Sequence, residues 1–99
     1  MTRRETGGMR KNRNEVQIIY ELLLQIGNGN TQISSILRKV NIPYNKYEEL
    51  LVLLQERQMI KVSSDEGKKV IQILDKGKEF LDQYSRFSKL MEKSYGLRL

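Results

Sequence analysis

The sequence predicts a mainly α-helical domain with one small β-hairpin, followed by a long C-terminal helix that outgrows the core. Two observations predict it. Apolar residues recur at helical spacing in four separated stretches, and one stretch rich in β-branched residues, split by turn chemistry, interrupts them after the third. The chain's 99 residues with 38% hydrophobic content support one modest core and no more.

Residues 1–13 carry Arg3, Arg4, Arg10, Lys11 and Arg13 against Glu5, contain Gly7 and Gly8, and have almost nothing to bury. They read as a flexible basic arm. Met9 offers a second start that would shorten it. Asn14 followed by Gln17 resembles a capping box. Val16, Ile19, Leu22, Leu23 and Ile26 then repeat at helical spacing, and Gly27-Asn28-Gly29-Asn30 ends a helix over about 15–26. Asn30 or Thr31 is expected to cap the next helix, whose stripe is Ile33, Ile36, Leu37 and Val40. Asn41-Ile42-Pro43 breaks it, because proline disfavours helical geometry in the preceding residue yet suits a first turn. Tyr47, Leu50, Leu51 and Leu54 restore the same spacing. Two short amphipathic helices joined this closely form a helix-turn-helix pattern, with Ile42 filling the angle between them.

After Arg57 and Gln58 the period changes. Met59 to Val62 is strand-like, Ser63 to Gly67 is turn chemistry, and Lys69 to Leu74 is again strand-like. An isolated hairpin is marginal, so Ile60, Val62, Ile71 and Ile73 are expected to pack on the helices. Residues 14–74 thus read as one winged helix-turn-helix domain and residues 75–96 as a dimerisation helix. In that helix Phe80, Leu81, Tyr84, Phe87, Leu90, Met91 and Tyr95 run close to a seven-residue rhythm, with Tyr84, Phe87, Met91 and Ser94 as the candidate seam. A helix of about twenty residues is about 30 Å long, more than this core can cover on one side.

The formal net charge is +6, which favours anionic partners. Residues 1–13 carry a net +4, residues 14–74 carry seven groups of each sign, and residues 75–99 carry six basic against four acidic groups. The excess lies at the ends. Without Cys or His, disulfides, thiolate nucleophiles, imidazole bases and nearly all zinc sites are excluded. No pair of carboxylates sits in an evidently buried context, so neither an enzyme nor a metal or cofactor is expected. No apolar run approaches the ~18–20 residues of a membrane span, and the N-terminus lacks a secretion signal. A cytoplasmic, nucleoid-associated protein with no membrane partner is the expectation.

The phrases Ile42-Pro43-Tyr44, Met59-Ile60 and Lys76-Gly77-Lys78-Glu79-Phe80-Leu81, in the order helix, helix, turn, helix, hairpin, long helix, carry a family resemblance. Over residues 14–95 the chain resembles the small archaeal winged-helix DNA-binding proteins, including the ten-kilodalton dimeric chromatin proteins of crenarchaea. The resemblance implies that the last helix pairs with its twin as an antiparallel coiled coil, giving a dimer with a DNA-binding lobe at each end. The family commonly has Thr before the Glu-Lys-Gly run as a cap, where this chain has Leu74, so Asp75 is expected to cap instead.

The outward face of the third helix is Asn45, Glu48, Glu49, Val52 and Gln55, with Tyr44 and Lys46 at its N-terminal end. In a helix-turn-helix this end enters the major groove, where Asn and Gln can read adenine, Glu can accept from cytosine N4 and Val can touch a thymine methyl. The same residues also make an ordinary solvated face, and adjacent carboxylates repel phosphates. The arm, through Arg3, Arg4, Arg10, Lys11 and Arg13, can follow phosphates or enter a minor groove, or merely solubilise, with Arg10, Lys11 and Arg13 as the candidate DNA contacts. Lys61, Lys68 and Lys69 on the wing, and Arg38 and Lys39 at the end of the second helix, are candidate phosphate anchors or scattered surface charge. Aromatic residues on the last helix can stack on single-stranded bases, but helical spacing favours burial. Phe80 and Leu81 are expected to cap the core, and the candidate dimer interface is Phe80, Tyr84, Phe87, Leu90, Met91 and Tyr95. The expected function is binding of double-stranded DNA as a homodimer, in transcription regulation or chromatin. The alternative is a protein–protein module in a transcription or partition complex.

Overall fold

A computed structural model describes residues 13–98, so Arg10 and Lys11 lie outside the described residues. Six elements follow in order: α1 (Glu15–Gly27), α2 (Ile33–Val40), α3 (Tyr44–Glu56), β1 (Ile60–Asp65), β2 (Lys68–Ile73) and α4 (Asp75–Tyr95).

The capping box at the start of α1 is complete. Asn14 Oδ1 accepts from the Gln17 N–H at 2.9 Å, and Gln17 Oε1 accepts from the Asn14 N–H at 3.0 Å. At α2 the expected cap is absent. Gln32 occupies the N-cap position and contributes no side-chain bond, because Asn30 is committed to the preceding loop. Its amide donates to Gln25 Oε1 at 3.0 Å and Ser35 Oγ at 3.2 Å, and its carbonyl accepts from the Gln32 N–H at 3.2 Å. Asn41 ends α2 in the left-handed region at φ 61°, and Pro43 occupies the N-cap of α3.

The hairpin is longer than the sequence suggests. β1 runs through Asp65, and the connection shrinks to Glu66 and Gly67 at φ 51° and 79°, the paired positive angles of a type I′ turn. Ile60 pairs with Ile73 and Val62 with Ile71, so one face of the antiparallel ladder is apolar. That face packs on a core of Leu22, Leu23, Ile26, Ile36, Val40, Ile42, Tyr47, Leu50, Leu51, Leu54 and Ile60. Ile42 fills the angle between α2 and α3 as its position requires.

α4 begins against the hairpin. The Leu74 N–H donates to the Met59 carbonyl at 2.9 Å, and Gly77 is buried there. Leu74, not Asp75, holds the N-cap position and adds no side-chain bond; Asp75 is the first helical residue, where its charge suits the helix dipole. Phe80 and Leu81 pack on the edge of the core, after which α4 projects beyond it and draws the molecule out to 51 × 26 × 21 Å. Among the described residues no helix is long and apolar enough to cross a membrane.

Candidate nucleic-acid interface

The stripe that buries Tyr47, Leu50, Leu51 and Leu54 turns Tyr44, Asn45, Glu48, Glu49, Val52 and Gln55 outward, and all six are exposed. Charge on this face is internally balanced. Lys46 Nζ lies 2.9 Å from Glu15 Oε2 on α1 and 3.6 Å from Glu49 Oε1 one turn along. The hydrogen bond to Glu15, with Glu49 behind it, raises the Lys46 ammonium above its ordinary range. The single cation of the α3 face is thus shared between two carboxylates. Tyr44 donates its hydroxyl to Glu48 Oε2 at 2.7 Å, and that bond raises the Tyr44 phenol. Glu48 is partly satisfied before any partner arrives.

Arg13 does not trail with the arm. Its guanidinium pairs with Glu21 on α1 and donates from Nη2 to the Asn41 carbonyl at 3.2 Å, so it fastens the start of α1 to the turn between α2 and α3. Arg13 also lines an open concavity with Asn41, Asn45 and Lys46.

Arg38, Lys39, Lys61, Lys68 and Lys69 are exposed, and none forms an ion pair with another described residue. Lys68 and Lys69 border a second concavity shared with the loop before α2. The body thus offers uncommitted cations on the wing and at the end of α2, while α3 offers mostly neutral and acidic groups.

On α4, two of the six residues expected at the dimer seam first serve their own chain. Tyr84 stacks on Tyr20 with ring centroids 4.3 Å apart and planes at 20°, and Phe80 lies 6.1 Å from Tyr84 at the edge of the core. Burial raises the Tyr84 phenol. Beyond them Phe87, Leu90 and Tyr95 are 50%, 52% and 66% exposed, and Met91 is half-buried. Tyr20 was not singled out from the sequence, although it stands four residues after Val16 and one after Ile19, beside the apolar stripe. Among the described residues no group of acidic side chains is arranged to hold a metal ion.

A helix-turn-helix carried on α2 and α3 and flanked by a two-stranded wing defines a winged-helix domain. The sequence model of the winged helix-turn-helix family matches residues 12–92, and the chain belongs to that family. Among solved structures, the chain is similar to Sso10a-2, a DNA-binding protein from Sulfolobus solfataricus, at 21% identity and a TM-score of 0.68. The likeness covers 85% of this chain and 87% of that one. No curated protein matches the chain.

Proposed function

We propose that the chain binds double-stranded DNA as a homodimer, in chromatin or in transcription regulation, without catalysis and inside the nucleoid. The observation that carries this reading is the set of exposed cations on the wing and at the end of α2, Arg38, Lys39, Lys61, Lys68 and Lys69, which form no ion pair with another described residue; Arg10 and Lys11 add basic charge in the sequence outside the described residues. Membership of the winged helix-turn-helix family and the likeness to a DNA-binding protein of the same architecture support it. Contacts of this type are to phosphates. They anchor a duplex and carry little sequence information, whereas Tyr44, Asn45 and Val52 are the groups available to touch base edges.

A gel shift with random-sequence duplex tests the proposal. The full chain is expected to retard duplex at physiological salt, and a variant lacking residues 1–12 to do so more weakly. The deletion stops at 12 because Arg13 holds Asn41. Complete failure of the full chain to shift duplex would refute DNA binding.

The acidic pair Glu48-Glu49, together with the capture of Lys46 by Glu15 and Glu49, favours a second reading in which α3 docks on a protein. Binding lost entirely with the arm would favour it, since the helix-turn-helix would then contribute nothing to DNA affinity.

Dimerisation rests on α4. Phe87, Leu90, Met91 and Tyr95 recur at i, i+3, i+4 and i+8 and lie past the last residue that the core covers. An exposed apolar stripe at this spacing fits a second copy of the same helix. Phe87→Lys combined with Met91→Lys is expected to convert dimers to monomers in analytical ultracentrifugation while helix content is retained. A wild-type protein that sediments as a monomer would remove the coiled coil.

A further inference from the structure

Between the loop before α2 and the wing lies a cavity of about 430 Å³, within the size range that holds small molecules. Ile33 and Ile36 from α2 and Ile71 from β2 give it apolar walls. Tyr47 from α3 also lines it. That residue is 1% exposed, and among the described residues its hydroxyl is the buried side-chain polar atom without a hydrogen-bond partner. Buried polar atoms are ordinarily satisfied, and Phe would fill the same space without the hydroxyl. Burial raises the phenol, so the hydroxyl stays protonated and available as a donor.

The rim has the opposite character. The N-cap residue Gln32 makes no side-chain bond to the first turn of α2, and Gln32 and Ile33 of that end line the cavity, so uncapped N–H groups of a helix start stand at its rim. Lys69 stands two residues before Ile71 and therefore on the helix-facing side of the hairpin. Lys68 borders the cavity from the other parity, opposite Asp65 in the ladder. No carboxylate lines the cavity, although Asp65 stands opposite Lys68 in the ladder, so Lys69 is the ammonium assigned to an anionic ligand.

We infer that this cavity is a binding site for a small organic anion: a carboxylate head held by Lys69 and the first turn of α2, an apolar body against Ile33, Ile36 and Ile71, and a hydrogen-bond acceptor at the far end for the Tyr47 hydroxyl. Such a ligand supplies the partner that Tyr47 lacks. The site does not depend on the DNA reading, because each of its determinants belongs to the unliganded lobe. It would nevertheless link the two, since the head occupies Lys69, a candidate phosphate anchor.

The test is a titration of the ¹⁵N-labelled full chain with 4-hydroxybenzoate, followed by amide shifts. Saturable shifts are expected at Ile33, Ser34, Ser35 and Ile71, and Lys69→Gln is expected to weaken binding about tenfold, the loss of one charge-assisted contact. Tyr47→Phe keeps the ring and the fold; it is expected to lower affinity for 4-hydroxybenzoate several-fold, roughly the loss of one neutral hydrogen bond, and to leave affinity for benzoate unchanged. Uncharged 4-hydroxybenzamide is expected to bind about tenfold more weakly than the acid. The inference is overturned if no saturable shift develops by about 20 mM, a ceiling weaker than any useful small-ligand affinity. It is equally overturned if the shifts fall elsewhere, if inorganic phosphate reproduces them, or if neither substitution changes the isotherm.

Discussion

Raising salt fourfold, from about 50 to about 200 mM, is expected to lower the affinity of each lobe for duplex DNA by about 250- to 1,000-fold. The expectation follows from counting cations. Five candidate phosphate anchors on the body, Arg38, Lys39, Lys61, Lys68 and Lys69, form no ion pair with another described residue, and Arg10 and Lys11 are two further candidates in the arm's sequence. If roughly four to six of these seven neutralise phosphates, counterion release gives a log–log slope near −4 to −5, and a fourfold change in salt raised to that power gives the stated range. Lys46 and Arg13 are left out of the count. Each is already within ion-pair distance of a carboxylate, and releasing it would forfeit that contact. The slope therefore separates contributors. Removing residues 1–12 is expected to flatten it by about two if Arg10 and Lys11 alone reach the backbone, and by up to about four if Arg3 and Arg4, which the deletion also removes, reach it as well. Reversing the charge of Lys68 and Lys69 should weaken all duplexes alike. A flat response to salt in the full chain would eliminate the electrostatic mechanism, and a slope unchanged by the deletion would eliminate the arm from it.

How far the sequence predicts the molecule depends on the range of the interactions. The three helices of the lobe were legible because their stripes are local: Ile33, Ile36 and Val40, or Leu50, Leu51 and Leu54, state a buried face without knowledge of what covers it. Ile42 and the β-branched faces of the hairpin were legible for the same reason. The turn was drawn too wide because Ser63 and Ser64 favour turns chemically, while Glu66 and Gly67 alone supply the left-handed geometry that closes it. The charged contacts of the candidate site were not legible. Lys46 meets Glu15 across 31 residues and Arg13 meets Asn41 across 28, so both look like unattached cations until the fold brings them to their partners. Tyr84 was read as part of an intermolecular seam because helical spacing shows that a residue is buried but not by which neighbour; Tyr20 of the same chain covers it.

Gly77 was the one strong signal left unread, and substituting it is expected to produce the largest loss of stability. A glycine inside a helix ordinarily costs about 1 kcal/mol relative to alanine, so at an exposed position Gly→Ala would stabilise by about that amount. Here the opposite sign is expected. A Cβ at position 77 would lie 2.4 Å from the Met59 carbonyl oxygen and 2.8 Å from Ile73 Cγ1. The first of these atoms is backbone, and it is fixed by its hydrogen bond from the Leu74 N–H, so it cannot turn aside as a flexible side chain would. α4 must instead move away from the hairpin. Overpacking of this kind costs about 1–3 kcal/mol and occasionally more, and a clash with a fixed backbone atom belongs at the upper end. A net loss of about 2 kcal/mol remains after the gain in helix propensity, equivalent to a fall in Tm of about 8–16 °C for a domain of this size. Thermal unfolding of Gly77→Ala measures it, with Gly29→Ala as a control at a position where a Cβ meets nothing but the positive φ of 87° is strained. The control is expected to lose less. Stabilisation by Gly77→Ala would mean that α4 does not seat on the wing this closely. The functional consequence follows from where Gly77 stands. It lies between the lobe that carries the cations and the exposed stretch of α4, so in the proposed dimer a helix displaced there would change the angle between the two lobes. Salt dependence per lobe is expected to survive such a change; if the proposed dimer binds one duplex with both lobes, that cooperative binding is expected to be lost.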